Sequence, residues 1–181
     1  PAERRMTVFV AAAGLALARL VLTNLDEDCD AEAIEQLCAR AVTRHGPVAA
    51  VCVWPKFVAR AKELLQGTRV RVATVVNFPT GRESIAEVRH MTAQAIADGA
   101  DEIDMVIPWD EVLEGHIGVV APTVRSVSSA AGGATLKAIL ETGMLDTAEM
   151  ITNAAQEAIT GGADSLITST GKVSVYATPK A

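Results

Sequence analysis

Two charged side chains stand inside apolar runs of this sequence. Asp104 lies in Glu102–Ile107 (EIDMVI) and Lys137 in Thr135–Glu141 (TLKAILE). An unpaired charge in a buried strand is costly, so each residue needs a partner or a chemical reason. A carboxylate and an ammonium on neighbouring strands can neutralise each other, and the same pair can hold a proton-transfer network. A structural buried ion pair is the plainer alternative. A third stretch, Gly161–Val173 (GGADSLITSTGKV), reads as a strand over Ser165–Ser169 that opens into Thr170, Gly171 and Lys172. Hydroxyls, a glycine and a lysine at the C-terminal end of a strand suit an oxyanion such as phosphate. An ordinary polar turn is the alternative there.

The elements that must carry these residues follow from the apolar pattern. Six runs read as strands: Leu20–Leu22, Val48–Trp54, Val70–Asn77, Glu102–Ile107, Thr135–Glu141 and Ser165–Ser169. All but the first are rich in Val, Ile or Leu and have the length of buried strands. Helical patterns lie between them. Asp30 or Asp28 caps a helix running to Arg44, with Ile34, Leu37, Cys38, Ala41 and Val42 on one face. Pro55 opens a second, which reaches Gln66 and stops at Gly67. A third spans Arg82 to Asp98, with Ile85, Val88, Met91, Ala95 and Ile96 inward and Gly99 as its stop. A fourth starts near Trp109, is interrupted at Gly115 and Gly118, and resumes over Val119–Ala131. Asp146 caps a fifth, which ends at Gly161 and Gly162.

Strand–helix alternation at this spacing predicts right-handed βαβ units and a parallel sheet. A (β/α)8 barrel and an open doubly wound sheet both satisfy it. The sequence holds no GxGxxG and no GxxxxGK[ST]. Polar residues end nearly every strand, at Thr23 and Asn24, Asn77, Glu141 and Thr142, and Thr168–Thr170. A ring of polar strand ends favours the barrel, which gathers its site from many strands. An internal repeat points the same way: AIADGADEIDMV (95–106) aligns without gaps on AITGGADSLITS (158–169), 63 residues later. Asp104 and Ile167 are then equivalent positions of alternate strands, expected in one interior layer. The expectation is an α/β fold of the (β/α)8 TIM-barrel family, one domain over residues 1–181, with about six βα units and the last two missing. Open sheet edges would then invite pairing with another chain, so aggregation or a homodimer is expected.

Composition narrows the partners. Half of the 181 residues are hydrophobic but only six are aromatic, so the core is aliphatic, as a helix-covered parallel sheet requires. A net charge of −6 without a basic block argues against nucleic acid and against a polybasic membrane contact. A small anionic ligand needs only a local site. Cys29, Cys38 and Cys52 form no CxxC and read as small buried hydrophobes in a reducing cytoplasm. His45, His90 and His116 are scattered without zinc spacing, so no metal site is expected. Arg4 and Arg5 precede an apolar run from Met6 to Ala18. Arg19 interrupts its continuation, which favours a first helix and strand over a signal sequence.

With these residues assembled, the chain resembles the deoxyribose-phosphate aldolases. The resemblance rests on LTNL from Leu22, VAAVCVWP from Val48, ATVVNFPTG from Ala73, GADEIDMV from Gly99, LKAILETG from Leu136 and TSTGKV from Thr168. It implies a (β/α)8 class I aldolase, an aldehyde-lyase that reversibly cleaves 2-deoxy-D-ribose 5-phosphate to D-glyceraldehyde 3-phosphate and acetaldehyde through a lysine Schiff base. It implies no cofactor and no metal, and a cytoplasmic role in nucleoside and carbohydrate breakdown. By the same resemblance Asp104 is a proton-relay residue and Lys137 a supporting active-site lysine. Thr23, Cys52 and Thr170 line the substrate, and Gly171 and Lys172 hold its phosphate. The family's Schiff-base lysine falls on Ile167, and an aspartate expected at the end of the first strand is Val21. An inactive homologue that binds a sugar phosphate or a protein partner is the second reading. A third has Lys137 take over as the amine.

Overall fold

A computed structural model describes residues 12–178. The expectation for Arg4, Arg5 and the run from Met6 therefore lies largely outside the described residues. The chain forms two compact units that divide between Thr74 and Val75, and each is described by itself.

In the first unit, strand β1 (Val21–Asn24) pairs in parallel with β2 (Ala50–Val53), which pairs in parallel with β3 (Arg71–Val76). The connection from β1 is helix α1 (Ala31–Ala41). Asp30 is its N-cap, accepting a 2.9 Å hydrogen bond from the Ala33 amide through Oδ1. Ile34, Leu37, Cys38 and Ala41 are buried, as the pattern predicts. The helix stops short of Arg44, however. Val42–Thr43 and Gly46–Pro47 form a small antiparallel ribbon instead, in which Thr43 Oγ1 donates to the Gly46 carbonyl. β-Branched residues followed by a glycine and a proline favour that turn over helix. Val42 is consequently exposed. Pro55 opens a 3-10 turn that leads into α2 (Val58–Leu64).

The second unit continues the strand–helix alternation. Helix α3 (Ile85–Ala97) begins at a capping box between Ser84 and Glu87. Strand β4 (Glu102–Val106) follows, then the short helix α4 (Trp109–Leu113) and α5 (Val120–Ala131), with the interruption expected at Gly115 and Gly118. Strand β5 (Thr135–Ile139), helix α6 (Ala148–Gly161) and strand β6 (Ser165–Ile167) complete it. β4 pairs in parallel with β5, and β5 with β6. Helix α5 packs against both α3 and α6. Two expectations are corrected. Ile85 sits at the first helical position and is 44% exposed; the inward face is Val88, Thr92 and Ala95. The N-cap of α6 is Thr147, whose hydroxyl accepts from the Met150 amide, and not Asp146.

Each unit is thus α/β, with parallel strands joined through helices. β2 and β4 are buried along their whole length, the mark of parallel strands covered on both faces. The sequence repeat has a structural counterpart: Gly99 and Gly162 follow α3 and α6 at φ of 101° and 105°, values that favour glycine.

Candidate active site

The register of the second unit brings the two anomalous charges together. Asp104 lies directly opposite Lys137, and Lys137 opposite Ser165. Lys137 Nζ is 2.9 Å from Asp104 Oδ1 and 2.6 Å from Oε2 of a second carboxylate, Glu102. Glu102 and Asp104 are two residues apart on one strand, so their side chains leave the same face. Glu102 is 1% exposed and Asp104 7%. Burial acts to lower the Lys137 pKa, but the Asp104 charge and the hydrogen bonds that Lys137 donates to both carboxylates outweigh it. The net shift is upward, so Lys137 is an ammonium at neutral pH.

Ile167 shares this face. It lies opposite Ile139, which lies opposite Val106, one step of the pleat beyond the row of Asp104, Lys137 and Ser165. Ile167 is therefore two residues past Asp104's row, two strands away. A barrel of eight strands and shear 8 staggers its strands by about one residue each. The offset in the sheet equals that stagger in size, and the repeat alignment makes the same two positions equivalent. Ile167 offers no amine or other titratable group there.

The loop after β6 is held from the neighbouring strand. Glu141, fully buried with φ at 52°, follows β5. Its carboxylate accepts from the Thr170 amide (3.2 Å) and from Thr170 Oγ1 (2.5 Å), and that hydroxyl accepts from the Lys172 amide (3.0 Å). Gly171 has φ of 73°, which explains its type without any close contact. The Thr170 hydroxyl is thus committed within the protein, whereas the sequence reading had it facing an oxyanion. Two other hydroxyls, Thr142 Oγ1 and Ser169 Oγ, are buried without a hydrogen-bond partner among the described residues. Both flank the Glu141–Thr170 contact in sequence. The Lys172 residue is exposed.

Asn77 plays a part like that of Glu141 after β3. It is 1% exposed at φ of 56°, and its side chain donates to the Val106 carbonyl at the end of β4 (2.8 Å). Its Oδ1 accepts from the Glu83 amide in its own loop (2.8 Å).

In the first unit, Thr23 and Cys52 are register partners on β1 and β2. Thr23 is exposed and Cys52 buried. A cleft of about 450 Å³ opens among Glu27, Trp54, Pro55 and Lys56 in the loops beyond those strands. Cys29 and Cys38 are buried, and desolvation raises both thiols, so neither is poised as a nucleophile.

The chain matches the DeoC/LacD family aldolases over residues 15–181. It belongs to this family. It is 48% identical over 172 residues to the deoxyribose-phosphate aldolase of Agrobacterium fabrum (strain C58 / ATCC 33970), a match that covers 94% of this chain and 66% of that relative. Its structure is similar to that of a proposed deoxyribose-phosphate aldolase from Coccidioides immitis, at 36% identity and a TM-score of 0.82, over 88% of this chain and 62% of that one. A proposed deoxyribose-phosphate aldolase from Toxoplasma gondii ME49 matches at 28% identity and a TM-score of 0.83, over 94% and 66%. The chain thus spans 62–66% of the length of these DeoC/LacD relatives.

Three residues of the second unit escaped the sequence reading. Glu102 carried a signal, a second charge at the two-residue spacing that puts it on Asp104's face; at the start of a strand it reads as a solvated end. Asn77 and Glu141 were legible as polar strand ends, but their left-handed backbone and their reach to the next strand were not. Among the described residues Glu111, Glu114 and His116 bring three potential ligand atoms within 4.8 Å of one another. All three are exposed, and His116 Nδ1 already lies 2.9 Å from Glu111.

Proposed function

We propose that this chain contributes the proton-handling pair and the phosphate loop of a class I aldolase acting on 2-deoxy-D-ribose 5-phosphate. The reaction is reversible cleavage to D-glyceraldehyde 3-phosphate and acetaldehyde. The observation that carries this reading is the buried contact of Lys137 with Asp104 on adjacent strands, in a member of an aldolase family. Breaking a carbon–carbon bond beside a carbonyl requires protons to be moved at carbon and oxygen. A carboxylate held by an ammonium, away from bulk water, suits that task. Gly171 and Lys172 are assigned to the substrate phosphate. The unspent hydroxyls of Thr142 and Ser169 supply further donors near that loop. Thr170 acts by shaping the loop through Glu141. Thr23 and Cys52 are assigned to the substrate by the family resemblance.

The carbonyl-attacking amine is not supplied by position 167, which is isoleucine. A cytoplasmic location and a homodimer belong to the same reading. Among the described residues no helix is long and apolar enough to cross a membrane. Size-exclusion chromatography tests the dimer.

The deciding experiment measures two quantities on the same preparation. Thermal unfolding is followed with and without 2-deoxy-D-ribose 5-phosphate, and acetaldehyde release is followed by a coupled reduction. Stabilisation that is lost in Lys172→Ala is the expected result, and acetaldehyde release would assign the attacking amine to a residue other than Ile167. Binding without release leaves a sugar-phosphate-binding member of the family. Neither stabilisation nor release overturns the proposal.

A further inference from the structure

Lys137 is held by two carboxylates, and the second has no role in the reaction just described. Glu102 is the more deeply buried of the two, at 1% exposure, and its contact with Nζ is the shorter, 2.6 Å against 2.9 Å. It lies on the N-terminal side of Asp104 on β4, whereas Val106, Ile139 and Ile167 lie on the C-terminal side of the same face. Lys137 is in register with Asp104, so an Nζ that also reaches Glu102 is turned back toward the starts of the strands. In parallel barrels the reacting atoms gather at the other end, where the strands finish.

We propose that Glu102 is a positioning residue that holds Lys137 as a retracted ammonium, so that Lys137 serves as a fixed charge orienting Asp104 and not as the amine that attacks a carbonyl. An amine must be neutral and free to approach in order to form an imine. Glu102 opposes both conditions, because it stabilises the charged form and directs Nζ away from the strand ends. This excludes the reading in which Lys137 substitutes for a Schiff-base lysine. The meaning for catalysis rests on the aldolase reading, but the state of Lys137 is measured without it.

The first measurement is reductive labelling with acetaldehyde and borohydride. Condensation of a neutral lysine amine with the aldehyde expels water, and hydride from borohydride reduces the C=N bond to an N-ethyl group. Peptide mapping compares Lys137 with the exposed Lys172 in the same digest. Labelling of Lys137 slower than that of Lys172 by on the order of tenfold or more at about pH 9 is expected, because one unit of pKa is a factor of ten. In Glu102→Gln the Lys137 rate rises by about the same factor, and in Glu102→Asp, which keeps a carboxylate, it stays low.

The second measurement separates protonation from simple inaccessibility. The Nζ resonance of 15N-lysine protein couples to three protons as an ammonium and to two as an amine. Lys137 of the natural chain is expected to show the three-proton pattern at about pH 9, where a desolvated lysine without carboxylate partners is neutral. The Glu102→Gln variant loses that pattern at lower pH than the natural chain. Should Glu102→Gln fail to fold, the natural chain alone decides. A two-proton pattern, or labelling of Lys137 as fast as Lys172, overturns the proposal. Neither readout involves deoxyribose phosphate, so it can fail while the aldolase reading stands, and the reverse.

Discussion

Replacing Lys137 by methionine removes a cation that contacts two buried carboxylates and keeps most of the side-chain volume. Nζ lies 2.6 Å from Glu102 and 2.9 Å from Asp104, and the three side chains are 15%, 1% and 10% exposed. Taking one partner out of a buried ion pair costs about 3–5 kcal/mol, because the charge left behind is desolvated. Lys137 is the most exposed of the three and water can follow it out, so the expected loss is at the lower end, about 3 kcal/mol near neutral pH. The pH dependence has a definite sign on the alkaline side. The folded Lys137 pKa is raised above the ordinary lysine value of 10.5. Its contribution is therefore complete below that value and is lost as pH rises through the folded pKa, which gives the natural protein an alkaline decline that the variant lacks. Urea unfolding followed by circular dichroism at a series of alkaline pH values reads that decline. The triple variant Lys137→Met, Glu102→Gln, Asp104→Asn should recover to within about 1–2 kcal/mol of the natural chain, since neutral replacement of a whole buried ionic group is often tolerated. A loss under about 1 kcal/mol near neutral pH, or an alkaline decline that the variant shares with the natural protein, would refute the reasoning.

Other perturbations probe the surrounding framework. Asn77→Ala leaves the Val106 carbonyl and the Glu83 amide without their side-chain partner and keeps a left-handed backbone at a non-glycine residue; a loss of about 2–4 kcal/mol in urea unfolding is expected. Glu141→Ala removes both acceptors of Thr170, so hydrogen exchange at the Thr170 amide should quicken by on the order of tenfold or more while the amides of β4 keep their protection. Ile167→Lys places an amine on the face of Asp104 and Lys137, and acetaldehyde with borohydride should then label position 167. No label at that position would show that the face is not open to a small aldehyde.

The alternation of runs and helices was readable because parallel strands covered on both faces leave continuous Val, Ile and Leu segments, as in β2 and β4. The Asp104–Lys137 pair was readable for the opposite reason, two charges where the pattern calls for apolar side chains. What the sequence concealed is mostly local geometry. Thr147 and Asp146 are both acceptable N-caps by type, and only the backbone decides that the hydroxyl meets the Met150 amide. Ile85 fits a helical face by spacing but stands in the first turn, where little packs over it. Thr170 was read as a donor to a ligand because its contact with Glu141, 29 residues away in sequence, has no local signature. Glu102 shows the same limit: its type was visible, and its partner required the register of β4 with β5.

Asn77 and Glu141 each fasten the end of one strand to the end or loop of the next. Neighbouring strand ends are therefore laced together by side chains, and they are not separate modules. A loop transplanted after β5 without its Glu141 would also undo the loop after β6, and one transplanted after β3 without its Asn77 would leave the end of β4 unsecured. Redesign of specificity on this scaffold would have to exchange loops in adjoining pairs, with each lacing residue carried along with the loop it fastens.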